Sequence, residues 1–136
     1  MGYNFDKFIK RGFIMNVQKL NHAIEVLKGD LGDGLIATDI FTVKDGISIA
    51  GYNPQPKASA LFNLLTSNIM KTLRGSGFPN LDKYFLMNLE GDKMVVILPL
   101  GDYRWGMLID TNKSQLGLLV SIAIPNSLQA FEEAME

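Results

Sequence analysis

The sequence predicts a single α/β domain of the α+β kind, in which helices alternate with a hairpin and a three-stranded meander. Three observations support this prediction. The chain has 136 residues, the usual size of one domain, and 47% of them are hydrophobic, which suffices for a core. Residues 38–62 have the pattern of strand, tight turn, strand, proline-bounded loop and helix. The remaining apolar residues recur with helical or strand periods.

The N-terminal part of the chain divides into an extension and the first helix of the domain. Residues 1–15 are assigned to an N-terminal extension and residues 16–136 to the domain. The extension mixes aromatic and basic residues and lacks the apolar core and cleavage site of a signal peptide. The first helix is predicted over residues 16–28, because apolar residues there are spaced by three and four. Asn16 is its candidate N-cap and Gly29 its candidate stop.

The predicted hairpin follows a glycine-rich loop. Residues 35–43 are β-branched and apolar, Asp45 and Gly46 suit a tight turn, and residues 47–52 return along the first strand. The glycines of the preceding loop come after a helix and before a strand. A phosphate-binding loop requires the reverse order, so we interpret them as a helix stop and an entry to the sheet. Pro56 suits the first turn of the next helix.

The second helix, predicted over residues 57–73, is apolar on more than one side. One apolar stripe comprises Ala58, Leu61, Phe62, Leu65, Ile69 and Leu73. A second apolar set comprises Ala60, Leu64 and Met70. The clearly polar line consists of Ser59, Asn63, Ser67 and Lys71. A helix with so wide an apolar surface is usually buried on more than one side, so either the domain wraps it or another chain covers it.

The C-terminal half is predicted to contain a meander and a final helix. The meander strands are predicted at residues 83–89, 94–98 and 103–109. Residues 126–135 have a helical pattern. Residues 116–124 favour a strand by propensity, and Pro125 must kink or break any helix that includes both segments. The residues alone therefore leave segment 116–124 open between strand and helix.

Composition argues against several classes of function. The net charge is −1, from 13 basic and 14 acidic residues, so there is no basic excess that would favour nucleic acid as a partner. The chain has no cysteine and one histidine, His22, which argues against thiolate sites, catalytic triads and multi-histidine metal sites. We therefore expect no catalytic residue, metal or cofactor. No stretch approaches the roughly 20 apolar residues of a membrane span, and a cytoplasmic location is expected.

The chain resembles the roadblock family over residues 16–135, nearly its whole length. The order of helix, two strands, helix, three strands and helix is similar. Three segments carry the resemblance. Residues 32–52 resemble the opening hairpin of the family, with its preceding glycine and Asp-Gly turn. Residues 58–73 resemble the long central helix, and residues 115–131 resemble the last helix, which begins here with Gln-Leu-Gly-Leu. Pro125 departs from the family pattern.

The resemblance implies a fold and a dimer. The fold is one five-stranded antiparallel sheet with the central helix on one face and the two terminal helices on the other, a profilin-like sandwich. It favours helix at residues 116–124. Roadblock-like proteins commonly form dimers through the central helix and the strand after it. The dimer-interface residues implied for this chain are Ala60, Leu64, Met70, Tyr84, Leu86 and Asn88.

The resemblance also implies a non-enzymatic, dimeric interaction module. Such a module would regulate or scaffold a Ras-like small GTPase or a motility or polarity assembly. On this interpretation the polar line of the second helix faces outward and binds the partner, through Ser59, Asn63, Ser67 and Lys71. Arg74 and Arg104 are candidates for an arginine finger, although a structural or solvated role is the favoured interpretation of each.

The alternative function is a small-molecule sensor domain of similar fold. In that case aromatic side chains would line a pocket, the candidates being Trp105, Tyr103, Phe85 and Tyr84. No cluster of converging polar groups accompanies these aromatics, although binding pockets normally contain a few such groups. We therefore favour a core or interface role for them.

Overall fold

The computed structural model describes the backbone of residues 2–136 and the side chains of residues 17–136. Its elements follow the predicted order and enclose a five-stranded antiparallel sheet. The helices are α1 (Gly2–Leu31), α2 (Pro56–Ser76), the short α3 (Leu116–Leu118) and α4 (Ile124–Met135). The strands are β1 (Leu35–Thr42), β2 (Ser48–Tyr52), β3 (Phe85–Leu89), β4 (Lys93–Leu100) and β5 (Tyr103–Asp110).

The sheet has the strand order β2-β1-β5-β4-β3, with every pair antiparallel. Helices α1 and α4 pack together on one face, and α2 lies against β4 and β5 on the other. This arrangement confirms the predicted sandwich with one helix on one face and the terminal helices on the opposite face. The order also places β3 at an edge, paired only with β4.

The first helix is longer than predicted at both ends. It begins at Gly2, so Asn16 is not its N-cap, and it continues past Gly29 to Leu31. A glycine inside a helix costs about 1 kcal/mol relative to alanine. Burial of Leu27 and Leu31, on either side of Gly29, offsets this cost. The division between an extension and the domain at residue 15 stays a prediction.

The segment left open by propensity is helical, as the resemblance implied. Between α3 and α4 the chain forms one π-helical turn, Leu119–Ala123. Pro125 is at the start of α4, directly after this turn. Proline has no N–H and clashes with the carbonyl four residues earlier in an α-helix. The wider turn before Pro125 therefore lets the chain remain helical with a local irregularity.

The main core lies between the sheet and the pair α1 and α4. Trp105 on β5 is fully buried there, and its indole N–H donates a hydrogen bond of 2.8 Å to Thr38 Oγ1 on β1. The Thr38 hydroxyl donates in turn to the carbonyl oxygen of Gly106, at 2.7 Å. The indole N–H, the hydroxyl and the carbonyl are therefore all hydrogen-bonded. These bonds connect side chains and backbone of β1 and β5. The other large, fully buried side chains include Leu20, Leu27, Ile40, Val96, Leu98, Ile109, Leu119 and Ile124.

Candidate interaction surface on the second helix

Helix α2 presents polar side chains to the sheet. Ser59 is 4% exposed and Thr66 is fully buried, and Asn63 is half-buried on the same side. The Asn63 amide donates a hydrogen bond of 2.9 Å to the carbonyl oxygen of Val43. Two charged side chains of the sheet, Asp39 and Arg104, lie beneath these polar residues of α2.

Asp39 projects from β1 toward α2 and is 7% exposed. Its two carboxylate oxygens accept hydrogen bonds from different elements, one from the Ser48 hydroxyl on β2 and the other from the Ser59 hydroxyl on α2. Burial raises the pKa of the Asp39 carboxyl above its ordinary value of 3.8, while the hydrogen bonds from Ser48 and Ser59 act in the opposite direction. Asp39 is therefore a buried acid that ties three elements together.

Arg104 projects from β5 toward the same helix and is 4% exposed. Its Nη1 donates hydrogen bonds to Asn63 Oδ1 at 2.7 Å and to Ser67 Oγ at 3.0 Å, and also to the Asn63 carbonyl oxygen. No carboxylate of residues 17–136 lies within 4 Å of the guanidinium, and its Nε has no hydrogen-bond partner. Burial lowers the pKa of Arg104. This arginine is held inside the molecule, whereas Arg74 is exposed near the end of α2.

The outer side of α2 carries two large apolar side chains among polar residues. Leu61 and Leu64 have 59% and 62% of their surface exposed. Three further large apolar side chains are exposed on neighbouring segments: Phe78 in the following loop, Tyr84 just before β3 and Leu89 at its end. We call these five residues the outer apolar face. Large apolar side chains exposed on neighbouring elements are candidates for coverage by another molecule.

The expected orientation of α2 is thus wrong in two respects. Ser59 and Asn63 do not face outward, because Asp39 and Arg104 require polar partners beneath the helix. Leu61, which belongs to the stripe expected to be buried, is exposed as a consequence. Of the predicted partner-binding residues, Ser67 and Lys71 are exposed. The binding of a partner at this line stays a prediction.

The predicted dimer-interface residues differ in their accessibility. Ala60, Leu64, Tyr84 and Asn88 are exposed, whereas Met70 and Leu86 are half-buried. Met70 Sδ lies 3.9 Å from Arg104 Nη2, and Leu86 packs against the main core. Contact of these residues with a second copy stays a prediction.

The aromatic residues proposed for a sensor pocket do not converge. Trp105 is fully buried in the main core, and Tyr103 packs edge-on against Phe131 at a centroid distance of 5.9 Å. Phe85 is half-buried and Tyr84 is exposed. A cleft of about 240 Å³ exists elsewhere, between α2 and the sheet, and Asp39 lines it. Composition does not reveal that Asp39 is buried at this cleft. The available signal is its place in the sequence, since a lone carboxylate within an apolar strand indicates a buried polar contact.

Membrane spans and metal centres are two further classes of site. None of the described helices combines the length and apolar character that a membrane span requires. Among the same residues, His, Asp and Glu side chains form no group of three or more that would hold a metal ion.

Solved structures with similar folds define the class of this protein. MglB of Myxococcus xanthus has a TM-score of 0.69 at 13% identity, with 88% of this chain and 92% of that chain covered. The gliding protein MglB of Thermus thermophilus has a TM-score of 0.67 at 14% identity, covering 88% and 90%. A Roadblock/LC7 domain of Streptomyces avermitilis has a TM-score of 0.55 at 8% identity, covering 81% and 92%.

The same comparison includes a profilin, Acanthamoeba castellanii profilin IB, with a TM-score of 0.57 at 12% identity and coverage of 83% and 97%. The class is therefore the profilin-like α+β sandwich. Within that class, the chain has the roadblock-family fold, which confirms the resemblance. No family model and no curated protein matches the sequence itself.

Proposed function

We propose that this chain is a non-enzymatic, homodimeric interaction module that regulates or scaffolds a Ras-like small GTPase or a motility or polarity assembly. The outer apolar face of α2 and β3 is the observation that carries the proposal. Leaving side chains such as Leu64 and Phe78 in water is unfavourable by about 25 cal/mol for each Å² of apolar surface. Coverage by another chain removes this cost.

A second copy is the occupant that the geometry supports best. The face adjoins β3, whose outer edge has unpaired backbone groups that can continue the sheet. A two-fold axis beside β3 would pair it with its copy and bring the two α2 helices together in one self-complementary contact. Such an interface is expected to bury roughly 1,200–2,000 Å² or more in total.

The proposed partner class rests on the fold and on the position of the remaining accessible polar residues. The similar structures include an MglB named as a gliding protein, which supports a motility or polarity context. Ser67 and Lys71 stay exposed at the margin of α2, where a partner can reach them when two α2 helices are side by side. Any catalysis belongs to the GTPase in this proposal. The buried Arg104 is unavailable as an arginine finger, whereas Arg74 is exposed. A cytoplasmic location stays a prediction.

Binding of purified Ras-like GTPases tests the partner. GTPases from the source organism are loaded with GTP or GDP analogues and passed over the immobilised full chain in a biolayer assay. Preferential retention of one nucleotide state, weakened by Lys71→Glu, is the expected result. Lys113→Glu, which alters an exposed lysine beyond β5, is the control. Failure of every GTPase to bind contradicts the GTPase role and leaves the assembly role to be tested with the dimer alone.

A further inference from the structure

The cleft between α2 and the sheet is a second, separate feature of the molecule. It lies beneath the N-terminal half of α2, on the sheet face opposite the main core, and has a volume of about 240 Å³. Its apolar walls include Phe41, Phe62, Val95, Ile97 and Leu108. An engineered apolar cavity of about 150 Å³ in another protein accommodates benzene. The cleft is therefore large enough for an aromatic ring with a short side arm.

Small residues on both walls create this space. Ala37 and Gly106 lie on the sheet side and Ala58 and Ser59 on the helix side. A Cβ atom at Gly106 would lie only 3.2 Å from Ile97 Cδ1 and 3.7 Å from Phe41 Cε1, so even a methyl group there would crowd the wall. The gap is thus a consequence of residue size along facing strands and helix, and any large residue in place of Ala58 would fill it.

Asp39 gives this apolar cleft one charged group. The carboxylate lines the cleft and is buried, and no cationic side chain of residues 17–136 lies within 4 Å of it. Each carboxylate oxygen accepts one hydrogen bond, from Ser48 or Ser59, and retains capacity for another. An isolated buried carboxylate is costly unless a cation compensates it. The chain itself supplies no such cation among the described residues.

We propose that the cleft binds a small organic cation, an apolar or aromatic body carrying one primary ammonium group. The body occupies the space between Phe41, Phe62 and Val95, and the ammonium donates hydrogen bonds to the Asp39 carboxylate. Charge complementarity selects the ammonium, since a charge-assisted hydrogen bond in a desolvated site is stronger than a neutral one. The apolar walls select against inorganic cations, which require several oxygen ligands.

A comparison of two probes on the unmodified full chain tests the proposal. The probes are 2-phenylethylamine and its neutral analogue 2-phenylethanol, titrated while methyl resonances of Val95 and Leu108 are followed by NMR. The expected result is a saturable shift of these methyls with an affinity for the amine at least about tenfold higher than for the alcohol. Equal affinity for the two probes, or no shift with the amine, overturns the proposal without requiring any variant.

Two variants with matched controls locate the site. Asp39→Asn is expected to remove the tenfold preference for the amine, whereas Asp45→Asn, on the exposed hairpin, is expected to keep it. Ala58→Leu is expected to abolish binding of both probes, while Thr72→Leu on the exposed side of α2 leaves both unchanged. Amine binding that survives Asp39→Asn and Ala58→Leu overturns the site. A different result is possible, in which the unmodified chain does not bind the amine and Ala58→Leu loses self-association. That result overturns the proposal and assigns the cleft to the contact between copies.

Discussion

Ser59 on α2 donates a buried hydrogen bond to the carboxylate of Asp39 on β1. This contact and the bonds from Arg104 to Asn63 and Ser67 form a polar seam between the helix and the sheet. The seam has two consequences. It fixes the rotation of α2 about its axis, because Ser59, Asn63 and Ser67 reach Asp39 and Arg104 only when this side of the helix faces the sheet. It also directs Leu61 and Leu64 away from the sheet.

Loss of the Ser59 hydroxyl is expected to destabilise the fold. Ser59→Ala leaves one buried oxygen of Asp39 without its donor, and an unsatisfied buried group costs about 1–3 kcal/mol. Urea denaturation followed by circular dichroism, at equal protein concentrations, measures the change. Thr72→Ala alters a hydroxyl on the exposed side of the same helix and is expected to change the free energy of unfolding by less than about 0.5 kcal/mol. Equal effects of the two substitutions would contradict the polar seam.

The raised pKa of Asp39 predicts a definite pH dependence. Folding favours the protonated carboxyl, so this group contributes most to the free energy of unfolding below pH 3.8. That contribution declines as the pH rises through the pKa of the folded state. Asp39→Asn, which carries no titrating group, is expected to lack this decline. The free energy of unfolding of Asp39→Asn, minus that of the unmodified chain, should therefore increase from acidic toward neutral pH in denaturant titrations. If this difference stays constant or falls, the assignment is contradicted.

The sequence predicts the layers of this fold more reliably than the rotation of α2. Helical and strand periods depend on local spacing, which is why the order of elements and the turn after Lys44 are predicted. In that turn Gly46 has a φ of 66°, a conformation in which glycine is favoured. The rotation of α2 depends on Asp39 and Arg104, which come from strands far apart in the chain. Hydrophobic periodicity assigns the polar side of a helix to solvent and misses such partners.

Phe62 is less buried than its spacing predicts, because its environment also depends on the rotation of α2. Its spacing places it in the first apolar stripe of α2 and predicts a buried Phe, for which Phe→Ala costs about 3–5 kcal/mol. In the structure Phe62 is half-buried at the cleft, where little packing surrounds part of the ring. The cost of Phe62→Ala is now expected below that range, about 1–3 kcal/mol by the area it still buries. Denaturation measurements at matched concentration distinguish the two values.

Arg104 is expected to require a guanidinium rather than a positive charge alone. Arg104→Lys keeps the charge, but its side chain is shorter and its ammonium is not expected to occupy the position of Nη1, which bonds both Asn63 and Ser67. Loss of hydrogen bonds involving a charged group costs about 1.5–3 kcal/mol. Arg74→Lys, at an exposed arginine of α2, is the control and is expected to be neutral within about 0.5 kcal/mol. A neutral Arg104→Lys would show that the seam does not depend on geometry.

Leu64 provides the most direct test of self-association. It is 62% exposed on the outer side of α2, so Leu64→Glu leaves the buried core unchanged and places a charge where two α2 helices are expected to meet. A charge buried without a partner in an interface opposes association strongly, and the dimer dissociation constant is expected to rise by at least about tenfold.

Gln129→Glu adds the same charge on the exposed side of α4 and is the control for Leu64→Glu. Sedimentation velocity at about 10–50 μM should then show a dimer for the unmodified chain and for Gln129→Glu, and a folded monomer for Leu64→Glu. A monomeric unmodified chain at these concentrations would contradict the proposed homodimer, and a dimeric Leu64→Glu would move its interface away from α2.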